Sequence, residues 1–361
     1  MSDFARETLA AHSAISPAAL GIGPPGRAAL EPMDPRVTDI QPGSGVVMRL
    51  EQAWGLLRRA YLKAFRRGYV ARMAALRQGD RNPCPHEVLD PRDLKFHRNQ
   101  PGWHWKCDDD PFAWRDRIPF ARVGLAELLV FSVLLYGGAI AAGWLTSSGP
   151  RTWETQLIGW AFTAILATLG GLVTWFFRDP EREIPTEAGV VVSPADGLVV
   201  AIDELDDDEF IGGPAVRIGI FLSIFNVHIN RAPIAGRVIG IRYEPGKFLN
   251  ALRPESAREN ERLILRYEGT GVPYRRMVLA QITGAIARRI VCWVKPGDEL
   301  AAGERFGMIK LGSRTELTLP REPGLEIAVK IGDAVHAGGS ALAHYSDRKI
   351  DDRKINDETG S

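Results

Sequence analysis

Two long apolar stretches constrain this chain more than any other feature of its sequence. Residues 123–145 contain one charged side chain, Glu127, and residues 157–177 contain none. Each stretch has about the 20 residues that a helix needs to cross a hydrocarbon core. Because the segment between them, residues 146–156, is short, we predict a transmembrane helical hairpin over residues 118–178. The alternative is a helical hairpin buried inside a soluble protein.

Basic residues around the two stretches indicate an orientation in the membrane. The segment that joins the stretches holds a single arginine, Arg151, whereas the outer flanks hold Arg115, Arg117, Arg122, Arg178 and Arg182. Basic residues accumulate on the cytoplasmic side of membrane proteins. The sequence therefore predicts a protein of the inner cell membrane whose two ends lie in the cytoplasm.

The part of the chain before the hairpin divides in two. Residues 1–45 are rich in Pro, Gly and Ala without an apolar period, which predicts a disordered leader. Residues 46–117 form a basic amphipathic helical region, in which apolar residues recur at helical spacing from Trp54 to Leu76 and no acid lies between Arg58 and Arg77. Such a helix can lie on an anionic bilayer, or its apolar face can pack against the protein.

Net charge and cysteine content limit which partners and which cell compartment the chain is expected to have. With 45 Lys and Arg against 44 Asp and Glu, the net charge is +1, so no overall positive field favours nucleic acid as a partner. Three cysteines are too few for a disulfide scaffold and indicate a reducing compartment. No metal is predicted. The alternative is a zinc site, since thiol and imidazole groups lie in two close pairs with His97 between them: Cys84 with His86, and His104 with Cys107.

Residues 179–346 have the pattern of a mainly β domain. Short segments rich in Val and Ile, such as residues 189–202 and 215–222, alternate with Gly, Pro and Asp turns. Residues 294–303 also resemble residues 329–338, and each reads as a strand, a Gly-Asp turn and a strand. We predict a β-sandwich or barrel-like fold with a repeat like that of lipoyl and biotinyl carrier modules. Residues 347–361 are expected to form a polar tail.

Three short strings in the β region hold groups able to do chemistry. Asp196 lies in the turn Ser-Pro-Ala-Asp-Gly, and His228 lies in Phe-Asn-Val-His-Ile-Asn-Arg-Ala-Pro. Ser313 follows Gly312 in Ile-Lys-Leu-Gly-Ser-Arg. Each string has an ordinary structural explanation when it is taken alone, because turns often contain Asp and Gly-Ser pairs.

In this order the strings resemble the phosphatidylserine decarboxylase family. The resemblance spans about residues 170–345, and it is strengthened by Phe-Phe-Arg-Asp-Pro-Glu-Arg at 176–182, Tyr-Glu-Pro-Gly-Lys-Phe at 243–248, Asn-Glu-Arg at 260–262 and Phe-Gly-Met-Ile at 306–309. It is similar to the bacterial branch that has Gly-Ser-Arg at the processing point.

The resemblance implies a zymogen that cleaves itself between Gly312 and Ser313. Ser313 Oγ would attack the Gly312 carbonyl, with His228 as the base and Asp196 orienting its imidazole. β-Elimination and hydrolysis would then convert Ser313 into a covalent pyruvoyl group. The products are a β chain, residues 1–312, and an α chain, residues 313–361, which stay associated.

The implied reaction belongs to phospholipid biosynthesis. The pyruvoyl carbonyl would form a Schiff base with phosphatidylserine and accept the electrons left by CO2, so that phosphatidylethanolamine is released. No diffusible cofactor is needed, and a homo-oligomer is compatible with the sequence. His228 is the expected proton donor, and Arg231 stands where some members have a second histidine. The lipid phosphate has four candidate partners, Arg231, Arg237, Arg288 and Arg289.

A different class of function competes with this interpretation. The Gly-Asp repeat also suits a membrane-anchored carrier or adaptor module without catalysis. However, Lys295 and Lys330 each precede their Gly-Asp pair, so neither turn presents the lysine that a lipoyl or biotinyl carrier needs.

Overall fold

The computed structural model describes residues 26–42, 45–77, 79, 81–149, 152–253, 255–285, 289–310 and 312–346. The α-helices in this part of the chain are α1 (Val46–Phe65), α2 (Arg67–Leu76), α3 (Pro91–Phe96), α4 (Leu125–Ser147), α5 (Trp153–Phe176) and α6 (Ser256–Glu259). The strands are β1 (Val190–Val192), β2 (Gly197–Asp208), β3 (Gly213–Leu222), β4 (Ile229–Arg231), β5 (Gly236–Glu244), β6 (Arg262–Gly269), β7 (Arg276–Thr283), β8 (Arg289–Cys292), β9 (Glu299–Leu300), β10 (Arg305–Lys310), β11 (Ser313–Pro320), β12 (Leu325–Ile327), β13 (Ala334–Val335) and β14 (Ala341–Tyr345).

The predicted apolar hairpin is present as α4 and α5. Both helices are long and apolar enough to cross a membrane, and only 6% of the residues in the apolar stretch of each are buried. They pack closely because small residues face large ones, and a Cβ at Gly170 would overlap the ring of Tyr136. Tyr136 Oη and Thr174 Oγ1 add a hydrogen bond of 3.1 Å between the helices. The prediction of two apolar helices that could span a membrane is confirmed.

The two ends of the hairpin are joined at its base. The Ala121 N–H donates to the Phe177 carbonyl at 2.8 Å, and the Asp179 N–H donates to the Pro119 carbonyl at 3.1 Å. Phe177 also covers Gly124, where a Cβ would overlap its ring. The chain therefore leaves the rest of the protein and returns to it at one place.

An antiparallel sheet of eight strands forms the centre of the β region, in the order β13-β2-β3-β11-β7-β6-β5-β9. Every residue of β11 is buried, as expected for a central strand covered on both faces. Two sheets of three strands accompany it, in the orders β1-β14-β12 and β4-β10-β8. The chain passes from the second small sheet to the large one between β10 and β11, where Gly312 lies. The prediction of a sheet-rich region is confirmed.

The two similar sequence strings form similar turns at the two edges of the large sheet. The Lys295 N–H donates to Asp298 Oδ2 at 3.0 Å, and the Lys330 N–H donates to Asp333 Oδ2 at 2.8 Å. Each turn is followed by a two-residue edge strand, β9 or β13. This likeness is local, and the barrel-like closure and the carrier-module repeat stay predictions, as do the domain boundaries.

Residues 26–42 lie along the large sheet, which corrects the prediction of a disordered leader for this part of residues 1–45. The Glu31 N–H donates to the Ile239 carbonyl at 2.8 Å, and the Asp34 carboxylate accepts from the Tyr243 N–H at 2.8 Å. Val37 and Ile40 are buried in the main core. An irregular segment held by a few such contacts has no periodic pattern that a sequence could reveal. Residues 1–25 and the predicted polar tail, residues 347–361, lie outside the described residues.

The predicted helical pattern from Trp54 to Leu76 is divided at Arg66, whose backbone leaves the helical region with φ −128° and ψ 48°. The break separates the predicted apolar face into two parts. Met73 in α2 is buried in a small second core with Leu62, Leu89 and Trp103. The apolar residues of α1 from Trp54 to Phe65 remain exposed, apart from Leu62.

Candidate active site

Ser313 begins β11 at the end of the large sheet, between the last residues of two neighbouring strands. It pairs with Leu222 of β3 on one side and with Thr283 of β7 on the other. The residue is fully buried, and its Oγ has no hydrogen-bond partner among the described residues. A buried hydroxyl without a partner loses the hydrogen bonds it had in water, so its position is explained better by chemistry than by stability.

Gly312 forms the turn that leads into β11. Its φ of +66° lies in the left-handed region, which glycine adopts without the penalty of a Cβ. The Gly312 carbonyl lies directly against Gly284, where a Cβ would overlap the carbonyl oxygen. Two glycines therefore allow the carbonyl that precedes Ser313 to sit close to the end of β7.

The loop that follows β3 places His228 beside Gly312. Its Nδ1 lies 2.9 Å from the Asn226 carbonyl oxygen, which accepts a hydrogen bond and fixes the tautomer with the proton on Nδ1. Its Nε2 accepts from the Gly312 N–H at 3.1 Å. The structure thus brings His228 to Gly312, the residue before the predicted cleavage point, and the Gly312 N–H occupies the lone pair of Nε2.

The surroundings of His228 keep the imidazole neutral. The side chain is completely buried, and the Phe176 ring at the end of α5 packs on it with a centroid distance of 4.6 Å. Burial lowers the pKa of His228 to about 4, the hydrogen bond to Asn226 opposes the shift, and the positive charge of Arg178 adds to it. A neutral imidazole with one acceptor nitrogen is the form that can remove a proton.

The structure does not bring Asp196 to His228, so the predicted orienting contact is wrong. Asp196 Oδ1 accepts from the Ala337 N–H at 2.8 Å, and Oδ2 accepts from Arg182 at 2.7 Å, with His336 Nδ1 at 3.5 Å. The turn around Asp196 contacts β4, the strand that follows His228, because the Pro194 carbonyl accepts from the Arg231 N–H at 3.0 Å. The backbone carbonyl of Asn226 takes the orienting role that was expected of the carboxylate.

A tight loop over residues 223–226 joins the site to the hairpin. The Asn226 side chain closes the loop by accepting from the N–H and the Oγ of Ser223 at 2.9 and 2.7 Å. The Phe225 carbonyl accepts from Trp175 Nε1 at 3.1 Å and from Arg178 at 2.8 Å. Because Phe225 is 58% exposed, its side chain extends away from the protein beside the end of α5.

Two of the four arginines predicted to hold a phosphate bind other groups of the protein. Arg231 donates to the Gly303 carbonyl at 3.0 Å and pairs with Asp179 at 3.3 Å. Arg237 pairs with Glu268 at 3.1 Å. Arg289 begins β8, and Arg288 lies outside the described residues. Arg231 therefore connects the segment after the hairpin to the β region and does not replace a second histidine at the site.

The alternative zinc site is not assembled. The described residues contain no group of three or more His, Cys, Asp or Glu side chains that could hold a metal ion. Cys84 is buried and its Sγ contacts the His86 carbonyl at 3.4 Å, whereas Cys107 is exposed. The rings of His86, His97 and Trp103 pack together with centroid distances of 5.3 to 6.1 Å. Cys84 and Trp103 belong to the small core that also contains Met73 of α2.

Comparison with known proteins identifies the family. A family model described as phosphatidylserine decarboxylase matches residues 169–343. A phosphatidylserine decarboxylase proenzyme from Rhodopirellula baltica is 49% identical over 252 residues, which cover 70% of this chain and 99% of that protein. The chain belongs to the phosphatidylserine decarboxylase family. Proteins of the same name from Syntrophus aciditrophicus and Symbiobacterium thermophilum are 44% and 47% identical, over 65% and 51% of this chain and 99% and 84% of their own lengths.

This membership confirms the family resemblance of the sequence strings and identifies a decarboxylase family whose relatives are named proenzymes. The sequence pointed to Ser313, Gly312 and His228 as candidates, but three of their neighbours were missed. Phe176 belonged to the matched string at 176–182, yet nothing in the string indicated a contact with His228. Gly284 and the Asn226 carbonyl carried no signal at all, since a backbone group or a missing side chain is visible only in three dimensions.

Proposed function

We propose that the chain is the precursor of a phosphatidylserine decarboxylase that cleaves itself between Gly312 and Ser313. The observation that carries the proposal is the contact of His228 Nε2 with the Gly312 N–H, next to a buried hydroxyl without a partner. Family membership supplies the reaction class, and the relatives' names supply the substrate, phosphatidylserine.

Self-cleavage would use Ser313, the adjacent Gly312 carbonyl and His228, whose Nε2 accepts from the Gly312 N–H. Ser313 Oγ attacks the Gly312 carbonyl carbon while His228 Nε2 releases the Gly312 N–H and accepts the hydroxyl proton, and the proton then passes to the departing nitrogen of residue 313. The amide becomes an ester. Removal of the Cα proton of residue 313 expels the Gly312 carboxylate and leaves dehydroalanine. Addition of water to this residue releases ammonia and leaves a pyruvoyl group at the start of β11.

The residues present fit such a group. Position 313 is buried between β3 and β7, and its Oγ has no role in holding the fold. Once formed, the pyruvoyl group supplies an electron-withdrawing carbonyl that binds the substrate amine and takes up the electrons left by CO2. His228 is the proton donor and acceptor beside it, oriented by the Asn226 carbonyl. Asp196 is proposed as a positioning residue, through its bonds to Arg182 and Ala337.

The two products of cleavage are expected to remain associated. The α chain, residues 313–361, would keep β11 between β3 and β7, and β13 would stay paired with β2. These strands bury Leu317, Leu319 and Val335 in the core. Separation would expose this apolar surface and break the strand pairs, so the β chain, residues 1–312, retains its partner.

The hairpin gives the enzyme access to a membrane lipid. We propose that α4 and α5 cross the inner membrane and hold the catalytic region on the cytoplasmic side, as the flanking arginines indicate. Extracting a diacyl lipid into water would expose many methylenes at about 0.8 kcal/mol each. The contacts of Trp175 and Arg178 with the Phe225 carbonyl hold the site at the base of the hairpin, where a headgroup would emerge.

Arg178 is the arginine that best suits the lipid phosphate. It is partly exposed at the end of α5, stacks over the Trp175 ring at 4.1 Å and lies near enough to His228 to affect its pKa. Two of its N–H groups donate to the carbonyls of Trp175 and Phe225, which leaves other guanidinium donors for an anion.

Intact mass and assay of CO2 release test the proposal. The wild-type chain should yield fragments 1–312 and 313–361, the second without an amino group at its start, and Ser313→Ala should remain whole and inactive. Ser256→Ala is the matched control, because Ser256 is also buried but its Oγ bonds the Ala251 and Arg253 carbonyls. A wild-type chain that stays uncut and releases no CO2 would favour the carrier or adaptor alternative.

A further inference from the structure

A continuous apolar stripe on α1 faces away from the protein. Its members follow one another at intervals of three or four residues and are between 49% and 75% exposed: Val46, Leu50, Trp54, Leu57, Tyr61 and Phe65. At 1.5 Å per residue the stripe is about 29 Å long. A continuous apolar surface of this length that is exposed to solvent is unusual and marks a site of interaction.

The opposite side of α1 already has its partners, so the exposure is not the result of a helix without contacts. Met48, Gly55 and Leu62 are buried. Beside them, basic side chains of α1 form ion pairs with acids of the segment around α3: Arg58 with Asp90 at 3.1 Å, Arg59 with Asp93, and Lys63 with Glu87 at 2.6 Å. These contacts fix the rotation of α1 and leave the stripe outward.

The start of α1 is attached to the base of the hairpin. Met48 belongs to the same core as Ala121, Val123 and Phe176, which lie at the two ends of the hairpin. The exposed apolar surface of α4 begins nearby, with Leu129 65% exposed. The stripe therefore starts where the apolar helices leave the protein, which is the level at which a bilayer surface would lie.

We propose that α1 lies in the surface of the membrane, with the stripe inserted among the lipids. This inference rests on the part of the proposed function in which α4 and α5 cross a bilayer. Trp54 and Tyr61 in the stripe are side chains that favour the boundary between lipid and water. Arg49, Arg66 and Arg67, which are exposed next to the stripe or at its end, suit anionic headgroups. With the hairpin, the helix would hold the site of His228 at a fixed height over the bilayer.

Labelling of the full chain in nanodiscs tests the placement of α1. The exposed Cys107 is first replaced by Ser, since the other two cysteines are buried. Leu57→Cys then carries an NBD fluorophore within the stripe. Gln52→Cys carries the same fluorophore at a position of α1 that is also exposed but does not belong to the stripe. Nanodiscs contain phosphatidylcholine, phosphatidylglycerol and phosphatidylserine, with or without bromine on the acyl chains.

The label at position 57 should emit at shorter wavelength than the label at 52 and be quenched by brominated lipid about threefold more strongly. Equal quenching at both positions overturns the proposal. Disulfide-linked dimers of unlabelled Leu57→Cys, formed without quenching of the label, would show that a second copy covers the stripe and would also overturn it.

Self-cleavage and CO2 release are measured on the same samples to separate the two proposals. If cleavage and decarboxylation proceed while position 57 behaves like position 52, the placement of α1 is wrong and the proposed function stands. If position 57 is quenched but the chain stays uncut and inactive, the placement of α1 stands and the proposed function is wrong.

Discussion

Self-cleavage should tolerate acid far better than an ordinary histidine base would allow. His228 is buried under Phe176, and burial lowers its pKa from 6.5 to about 4. Because the neutral imidazole is the proposed base, the rate should follow the neutral fraction of His228. The rate should therefore be nearly constant between pH 8 and pH 6, reach half its maximum near pH 4, and fall about tenfold for each further pH unit.

The same pKa shift determines how stability depends on pH. The unfolded chain has the ordinary pKa, so it binds a proton between pH 6.5 and about 4 while the folded chain does not. The contribution of His228 to stability is thus fully present above pH 6.5 and is lost as the pH falls towards 4. At 1.36 kcal/mol per pH unit, the loss amounts to about 3 kcal/mol. In His228→Gln this pH dependence should disappear.

The rate is measured by pulse-labelling the chain during cell-free translation into nanodiscs and transferring it to buffers between pH 3 and pH 8. Fragments 1–312 and 313–361 are then followed on gels over time. His228→Gln should slow cleavage at least a hundredfold, the usual contribution of a general base. Phe176→Ala should move the half-maximum towards pH 6.5, because water then reaches the imidazole. His344→Gln, a histidine outside the site, is the control.

Two results would refute this reasoning. A half-maximum near pH 6.5 in the wild-type chain would mean that His228 is hydrated in the precursor, contrary to its complete burial. Cleavage of His228→Gln at the wild-type rate would mean that another group removes the Ser313 proton.

Two further substitutions test the surroundings of the site. Gly284→Ala should reduce self-cleavage at least tenfold, because the new Cβ overlaps the Gly312 carbonyl oxygen. Gly271→Ala is the control, since a Cβ there meets open space and the chain should cleave normally. Equal cleavage rates of the two variants on gels would contradict the close approach of Gly284 to Gly312. Lys310→Met should lower the stability by about 3–5 kcal/mol, since it leaves the buried Glu127 carboxylate at the base of α4 without its cation. In thermal unfolding in detergent, adding Glu127→Gln to Lys310→Met should restore part of the lost stability. If stability is not restored, the Lys310–Glu127 ion pair is not the cause of the loss.

Much of the functional interpretation came from features that are local in the chain. The apolar lengths of α4 and α5, the short strands after Pro180 and the order of the three strings are each readable along the sequence. The candidate nucleophile and base were found in this way, because a serine after glycine and a histidine in a distinctive string need no knowledge of the fold. The helix break at Arg66 was missed, since its residue type does not interrupt a helical pattern.

The sequence by itself determined that the chain has two apolar helices, a sheet-rich region and a family-specific set of reactive residues, because hydrophobic runs and turn chemistry act over short distances. Only the tertiary structure decided which groups meet at the site. Phe176, His228, Gly284 and Gly312 belong to four separate segments, and strand order and the hairpin base bring them together. The same long-range packing turned Asp196 away from His228 and left the stripe of α1 exposed. No pattern confined to a short stretch of sequence records such contacts.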